Sequence, residues 1–223
     1  MARVLLIAVI LSFVALADVS LGTTVSLYDW AINVNGDLYE RFAGNTPPPS
    51  FDASGFDWNT GLGTLRCSAL GGGGQYVIVL LDHDIDVPIN TYFNEYGEAV
   101  GTPMTGQSWE IDEPGYVFGD IYDHVQAGTL DNSNGVPVGL PDDVSMALGW
   151  AFDLPPGGTA DIDFVVGLTA PTSPFYLAHT DPDSGETLYF HSTFTPAVIP
   201  EPLTACGLML GIGSLAGYLR RRR

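Results

Sequence analysis

Apolar and polar residues alternate along most of the chain between Asp18 and Ile199, with the period of two that is typical of half-buried β-strands. The segment DVSMALGWAFDLP predicts a strand whose buried side carries Val144, Met146, Leu148, Trp150 and Phe152. After Pro155–Gly158, the segment TADIDFVVGLT repeats the alternation and predicts a second buried row at Ile162, Phe164, Val166 and Leu168. Two alternating runs separated by a Pro- and Gly-rich turn predict a β-hairpin.

Similar patterns recur along the rest of this segment. PFYLAHT and ETLYFHSTF predict another hairpin with core residues Phe175, Leu177, Leu188 and Phe190. Asn35-Gly36 predicts a tight turn, and the apolar run Val77–Leu81 predicts a central strand covered on both faces. GDIYDHVQAGTLD predicts one short helix. The strand count, roughly eight to ten, predicts an all-β fold, an antiparallel β-sandwich over residues 18–195.

The N-terminal segment has the features of a secretory signal peptide. Arg3 precedes an apolar stretch from Val4 to Leu11, and Ala15 and Ala17 form an A-x-A cleavage site. We expect residues 1–17 to be removed; the alternatives are an uncleaved anchor helix, for which the apolar run is short, and a buried core helix.

The C-terminal segment has three parts in a fixed order. A spacer, residues 196–202, ends in Pro200, Glu201 and Pro202, and an apolar run without charges follows over residues 203–219. This run is near the minimum for one transmembrane helix. The chain then ends in Arg220, Arg221, Arg222 and Arg223. Positive residues remain on the cytoplasmic side, so the preceding domain is expected to face outward.

This order of a Pro-Glu-Pro motif, a short Gly-rich apolar helix and a terminal arginine cluster, paired with a signal peptide, resembles the PEP-CTERM sorting signal of bacterial exported proteins. The resemblance implies recognition and cleavage by a membrane-embedded exosortase, with transient anchoring in the inner membrane. It also implies delivery to the cell surface or extracellular matrix. Segments of the body, among them DASGFDWNTGLGTL and YLAHTDPDSGETLYFHST, resemble a group of PEP-CTERM proteins, which implies a compartment and a β architecture but no activity.

The charge distribution excludes one class of partner. Between residues 18 and 199 the chain has two arginines, no lysine and 25 acidic residues, a formal charge of −23. Nucleic-acid binding depends on phosphate neutralisation by Lys and Arg, so no nucleic-acid partner is expected. Cys67 and Cys206 are the two cysteines, and Cys67 is expected to be a small buried apolar residue rather than half of a disulfide.

Two acidic motifs are candidates for binding Ca²⁺. In LDHDID, Asp82, Asp84 and Asp86 fall on one face of an extended strand in steps of about 7 Å. They predict either a cation site or an exposed polar strand end. In TDPDSGE, Asp181 and Asp183 suggest a calcium loop, but EF-hand spacing is absent and the composition favours a hairpin turn. No other cofactor is predicted.

No motif predicts an enzyme. The sequence has no G-x-S-x-G, and its histidines (His83, His124, His179 and His191) lack metal-site spacing. His179 and His191 lie on neighbouring predicted strands and are expected to face solvent.

Trp58 and Trp109 lie in Gly- and Pro-rich surroundings and suggest a sugar-stacking surface. We therefore expect a structural or interaction protein of the exopolysaccharide or biofilm layer. The alternatives are a carbohydrate-binding or calcium-dependent adhesion module and, least favoured, a secreted hydrolase.

Overall fold

The computed structural model describes residues 24–87 and 91–197. The predicted signal peptide with Ala15 and Ala17, the Pro200–Pro202 motif, the apolar run 203–219 and the arginine cluster 220–223 lie outside the described residues. Within the described residues, no helix is both long enough and apolar enough to cross a membrane.

The described residues form eleven strands and one α-helix. In chain order the strands are β1 (Val25–Val34), β2 (Asp37–Glu40), β3 (Phe51–Asp57), β4 (Leu62–Leu70), β5 (Gly73–Ile85), β6 (Tyr96–Gly101), β7 (Gln107–Asp112), β8 (Ser145–Leu154), β9 (Thr159–Gly167), β10 (Phe175–Thr180) and β11 (Thr187–Ala197). The helix α1 spans Ile121–Ala127, as the GDIYDHVQAGTLD pattern predicted, and a short 3-10 helix spans Tyr92–Asn94.

The strands form two antiparallel sheets, in agreement with the predicted all-β class and with a sandwich. Sheet A has the order β2-β1-β5-β8-β7, and sheet B has the order β3-β4-β9-β11-β10-β6. A shared apolar cluster contains side chains from both sheets and places the main core between them. Most of the predicted core residues belong to it, including Met146, Phe164 and Phe190. Leu168 does not, because it follows the end of β9 and is 41% exposed.

The predicted hairpin between β8 and β9 is wrong, because the two strands lie in different sheets. Alternation identifies the buried face of each strand but does not show which sheet the strand joins. The connection from β8 to β9 crosses the sandwich beside the connection from β4 to β5, and the Gly71 N–H donates to the Gly158 carbonyl at 2.7 Å. A Cβ atom on Gly71 would lie 2.2 Å from the Pro155 carbonyl oxygen, so this close approach requires glycine.

Two other predicted hairpins are confirmed. β1 and β2 pair across Asn35-Gly36, whose φ angles of 55° and 95° give the two left-handed residues of a tight turn. β10 and β11 pair across the Asp181–Gly185 turn.

The prediction that Val77–Leu81 is covered on both faces is also confirmed. Val77, Val79 and Leu81 belong to the main core, whereas Ile78 and Leu80 belong to a second cluster with Ile121 and Val125 of α1. This second cluster covers the outer face of sheet A. Ala147 belongs to this second cluster as well. Ser145 and Ala147 are both fully buried, although the alternation places them on the side of β8 opposite the predicted core row.

Candidate functional site

A row of polar residues crosses four adjacent strands on the outer face of sheet A. Asp29 of β1 pairs with Asp82 of β5, Asp82 pairs with Ser145 of β8, and Ser145 pairs with Asp112 of β7. Each of these four residues lies two positions along its strand from a residue whose side chain faces α1. All four side chains therefore lie on the outer face of sheet A, the face that α1 covers. We call these four residues the acidic row.

The acidic row is unusually poor in hydrogen bonds. Asp82 is 2% exposed and Asp29 is 5% exposed, yet the Oδ1 atom of each has no hydrogen-bond partner. The Oδ1 atom of the neighbouring Asp143 also has none. Buried polar atoms are normally satisfied, so this cluster places a free-energy cost on the fold.

Protonation relieves part of this cost. Burial raises the pKa of Asp82 well above its ordinary range, and the nearby Asp143 carboxylate raises it further. Burial also raises the pKa of Asp143 to about 7, with a further contribution from Asp84. The row and its neighbours therefore favour uncharged carboxyl groups more strongly than exposed aspartates do.

We expect Asp82→Asn to raise the free energy of unfolding at pH 8 by about 1 kcal/mol, because the amide avoids the cost of either desolvating or protonating a buried carboxylate and offers donors to unpartnered oxygens. Denaturant titrations of the wild type and the variant at pH 5 and pH 8 test this. Asp37→Asn, at an exposed position of β2, is the matched control. A destabilisation by Asp82→Asn at pH 8 would contradict the prediction.

The three aspartates of LDHDID do not form one site. Asp82 and Asp84 lie in β5, but Asp86 follows the end of the strand with φ of 54°. The Asp86 carboxylate accepts a hydrogen bond from the Thr24 N–H at 2.6 Å and so holds the chain segment before β1. The exposed strand end expected as the alternative is also wrong for Asp82, which is buried, while Asp84 is half-buried.

The TDPDSGE motif forms a turn, as its composition favoured. The Asp181 carboxylate accepts hydrogen bonds from the backbone N–H groups of Asp183 and Ser184, at 2.9 and 3.1 Å. Asp183 accepts a hydrogen bond from the Asn94 side chain at 3.0 Å. These carboxylates therefore organise the β10–β11 turn with donors from the protein itself.

A group of possible metal ligands that sequence reasoning missed surrounds Glu110 of β7. Ligand atoms within 4.8 Å of one another are found in two overlapping sets, Glu110–His124–Asp131 and Glu110–Asp112–Asp120. Glu110 is fully buried and contacts His124 Nδ1 at 2.9 Å, and this hydrogen bond raises the pKa of His124. The Asp131 N–H also donates to Glu110, at 3.2 Å. These contacts tie α1 and the following loop to sheet A. The sequence did contain a signal for this group of ligands, because the alternation in QSWEID places Glu110 and Asp112 on one face of the strand.

His179 and His191 do not occupy the solvent-facing positions that the sequence suggested. His179 is fully buried, and its Nε2 atom lies 2.5 Å from the carboxyl group of Glu95, which is also fully buried. His83 is fully buried near the Gly61 carbonyl, whereas His191 is half-buried. Burial lowers the pKa values of His83 and His179 to about 3 and raises the pKa of Glu95 to about 9. These groups are therefore neutral at pH 7.

The predicted tryptophan surface is wrong. Trp58 packs against Trp30 and Phe56, with ring centroids at 5.1 and 4.8 Å, and Trp109 of β7 packs against Phe175 at 5.9 Å. Both side chains contribute to the margin of the main core. The sequence does not reveal that apolar partners in the other sheet lie near these tryptophans. Those partners explain why the two side chains pack against the core rather than form an exposed surface.

A different set of aromatic rings is exposed. Tyr28, Phe42 and Tyr116 are 50%, 64% and 53% exposed, and each ring lies edge-on to the other two at centroid distances of 5.9 to 6.2 Å. We call these three residues the aromatic ridge. Most exposed apolar side chains occur singly, so a contiguous cluster of this kind suggests a contact surface.

The aromatic ridge lies beside a cavity of about 250 Å³, which we call the first cavity. It is lined by Asp29, Glu40, Phe42, Pro114, Gly115, Tyr116 and Tyr122. The Tyr116 hydroxyl donates to Asp29 Oδ2 at 2.7 Å, and the Tyr122 hydroxyl donates to Glu40. A second cavity of about 320 Å³ lies on the other side of Tyr116 and is lined partly by Phe93, Phe118 and Asp143. The loop around Tyr116 thus joins the acidic row to the exposed rings.

No protein-family model, curated protein or solved structure matches the chain. The aromatic ridge, the first cavity and the acidic row are therefore interpreted from their own chemistry. The exposed rings, together with the Tyr116 hydroxyl and the Glu40 carboxylate of the first cavity, suit the recognition of an uncharged, partly apolar ligand.

Proposed function

We propose that this chain is an exported protein that is sorted by its PEP-CTERM tail and has a structural or interaction role at the cell surface or in the extracellular matrix. The observation that carries the proposal is the Pro200-Glu201-Pro202 motif, followed by an apolar run and an arginine cluster. In this proposal, an exosortase is the partner during export and the inner membrane anchors the chain transiently.

The position of the motif relative to the fold supports this proposal. β11 is an inner strand of sheet B and pairs with β9 as far as Ala197, only three residues before Pro200. A cut near the motif would therefore fall after the last described strand and leave both sheets intact. The short spacer would also hold the domain close to the membrane until cleavage.

Three side chains of the types that often act as nucleophile or base are poorly suited to catalysis. Cys67 is buried, and burial raises the pKa of its thiol to about 11, which disfavours the nucleophilic thiolate. His83 and His179 are buried and have pKa values too low for acid–base chemistry near neutral pH. Extracellular polysaccharide is the partner that we propose for the matrix.

Replacing Glu201 by alanine tests the sorting proposal. In a host with an active exosortase, we expect the wild-type protein to lose its tail and reach the outside. The Glu201→Ala variant is expected to remain in the inner membrane with its tail attached. Fractionation and intact mass measure both outcomes, and Glu186→Ala, in the β10–β11 loop, is the control. A wild-type chain that keeps its tail in the inner membrane of that host would overturn the proposal.

A further inference from the structure

The aromatic ridge has a stable shape before any ligand binds. Arg41, at the end of the β1–β2 hairpin, donates hydrogen bonds to the carbonyl groups of Leu27 and Tyr28. These bonds hold Phe42, the next residue, against Tyr28. Tyr116 is fixed from the opposite side by its hydrogen bond to Asp29. Rings that are already positioned lose little conformational freedom on binding, which favours affinity.

The first cavity supplies polar groups beside these rings. Because the Tyr116 hydroxyl uses its proton to bond Asp29, its oxygen remains an acceptor for a ligand hydroxyl. Glu40 lines the same cavity and adds carboxylate oxygens. Asp29 is a positioning residue, since it is 5% exposed and acts through Tyr116. Ring surfaces next to hydrogen-bond acceptors match a sugar, which has apolar C–H patches and several hydroxyl donors.

The negative charge of the protein and the volume of the first cavity narrow the class of ligand. The segment from residue 18 to residue 199 has a formal charge of −23, which disfavours polysaccharides that contain uronic acids or sulfate. The first cavity, at about 250 Å³, is somewhat smaller than pockets that enclose drug-sized ligands. It suits one sugar unit, with the rest of a longer glycan lying along the exposed rings.

We infer that the aromatic ridge and the first cavity bind an uncharged sugar unit of a polysaccharide. The matrix origin of that polysaccharide rests on the proposed function, but the binding itself does not. The binding residues are Phe42 and Tyr116, with Tyr28 extending the surface and Glu40 accepting hydrogen bonds from the sugar hydroxyls. This site replaces the one that the sequence had suggested at Trp58 and Trp109.

Calorimetry with the full chain in a mild detergent tests the inference. The probes are neutral hexamers of glucose, mannose and galactose, and a hexamer of galacturonic acid as the charged counterpart of the galactose probe. We expect at least one neutral hexamer to bind and the acidic hexamer to bind more weakly. Phe42→Ala is expected to weaken binding about tenfold or more, because it removes an exposed ring without opening the core.

Two further variants separate the ring from the hydroxyl group. Tyr116→Phe keeps the ring, so a smaller loss of affinity than that of Phe42→Ala is expected. Phe118→Ala is the matched control, since Phe118 is 68% exposed but lines only the second cavity. The inference is overturned if no neutral hexamer binds, if the acidic hexamer binds more tightly, or if Phe118→Ala has the same effect as Phe42→Ala. A sorting defect would appear only in the fractionation experiment, so the two proposals can fail separately.

Discussion

Replacing Glu95 by alanine is expected to lower the free energy of unfolding by about 2–6 kcal/mol, because two buried hydrogen-bonding groups would lose their partner at a cost of roughly 1–3 kcal/mol each. Glu95 and His179 are both fully buried, and their side chains are 2.5 Å apart. The Glu95 carboxyl group also accepts the Ile85 N–H at 3.3 Å. Alanine would leave an imidazole nitrogen and a backbone N–H buried without partners.

The matched variant Glu95→Gln is expected to cost less than about 1 kcal/mol. With the pKa of Glu95 raised to about 9 and that of His179 lowered to about 3, we expect the pair to be neutral, with a Glu95 carboxylic acid that donates to His179 Nε2. A glutamine amide has the same shape, can donate to that nitrogen and can accept from Ile85. Denaturant titrations at pH 7 measure both variants. Equal losses for glutamine and alanine would show that the pair is ionic rather than neutral.

The second large effect is a decrease in stability between pH 7 and pH 9. The ordinary pKa of a glutamate is 4.5, whereas Glu95 in the fold has a pKa of about 9. Above pH 4.5 the folded state therefore keeps a proton that the unfolded state has lost. The stabilising contribution is complete below pH 4.5 and disappears as the pH rises through about 9. The expected slope from this group is about −1.4 kcal/mol per pH unit.

Among the other titrating groups, Asp82 contributes with the same sign as Glu95, because burial also raises its pKa, and the comparison with Glu95→Gln isolates the share of Glu95. His83 and His179 have folded pKa values of about 3, below their ordinary 6.5, so they destabilise the fold only as the pH falls below 6.5. The Asp143 contribution has the same sign as that of Glu95 but ends near pH 7. Stability curves of the wild type and Glu95→Gln at pH 7, 8 and 9 test the assignment. A slope that is unchanged in Glu95→Gln would refute it.

Much of the fold was predictable because a strand buried on one face reveals that face through its alternation. The core rows of β8, β9, β10 and β11 were identified in this way, and the uninterrupted apolar run in β5 indicated cover on both faces. The partner of each strand was less predictable, since β8 and β9 show similar patterns from opposite sides of one core. The two strands belong to different sheets because the β8–β9 connection crosses the sandwich beside the β4–β5 connection, near Gly71 and Gly158. This crossing is a long-range contact.

The candidate site was less predictable for two physical reasons. A shift in register between Leu27 and Asp29 of β1 places Asp29 on the outer face beside Asp82, and simple alternation does not show this irregularity. Tyr116 and Asp143 lie outside the strands, where no periodicity determines their direction. The aspartates of LDHDID were found as a motif, but the sequence did not show that Asp82 and Asp86 are buried.

The arrangement of strands also determines when the fold can form. β1 pairs with β5, β5 with β8, β4 with β9 and β6 with β10, so each sheet combines segments from distant parts of the sequence. Sheet B cannot be completed before β11 is available, because β11 lies between β9 and β10. Such non-local pairing predicts slow folding that starts only after nearly the whole domain has been synthesised. A chain that folds this late remains extended for longer after synthesis, as the proposed export through a narrow translocation channel would require.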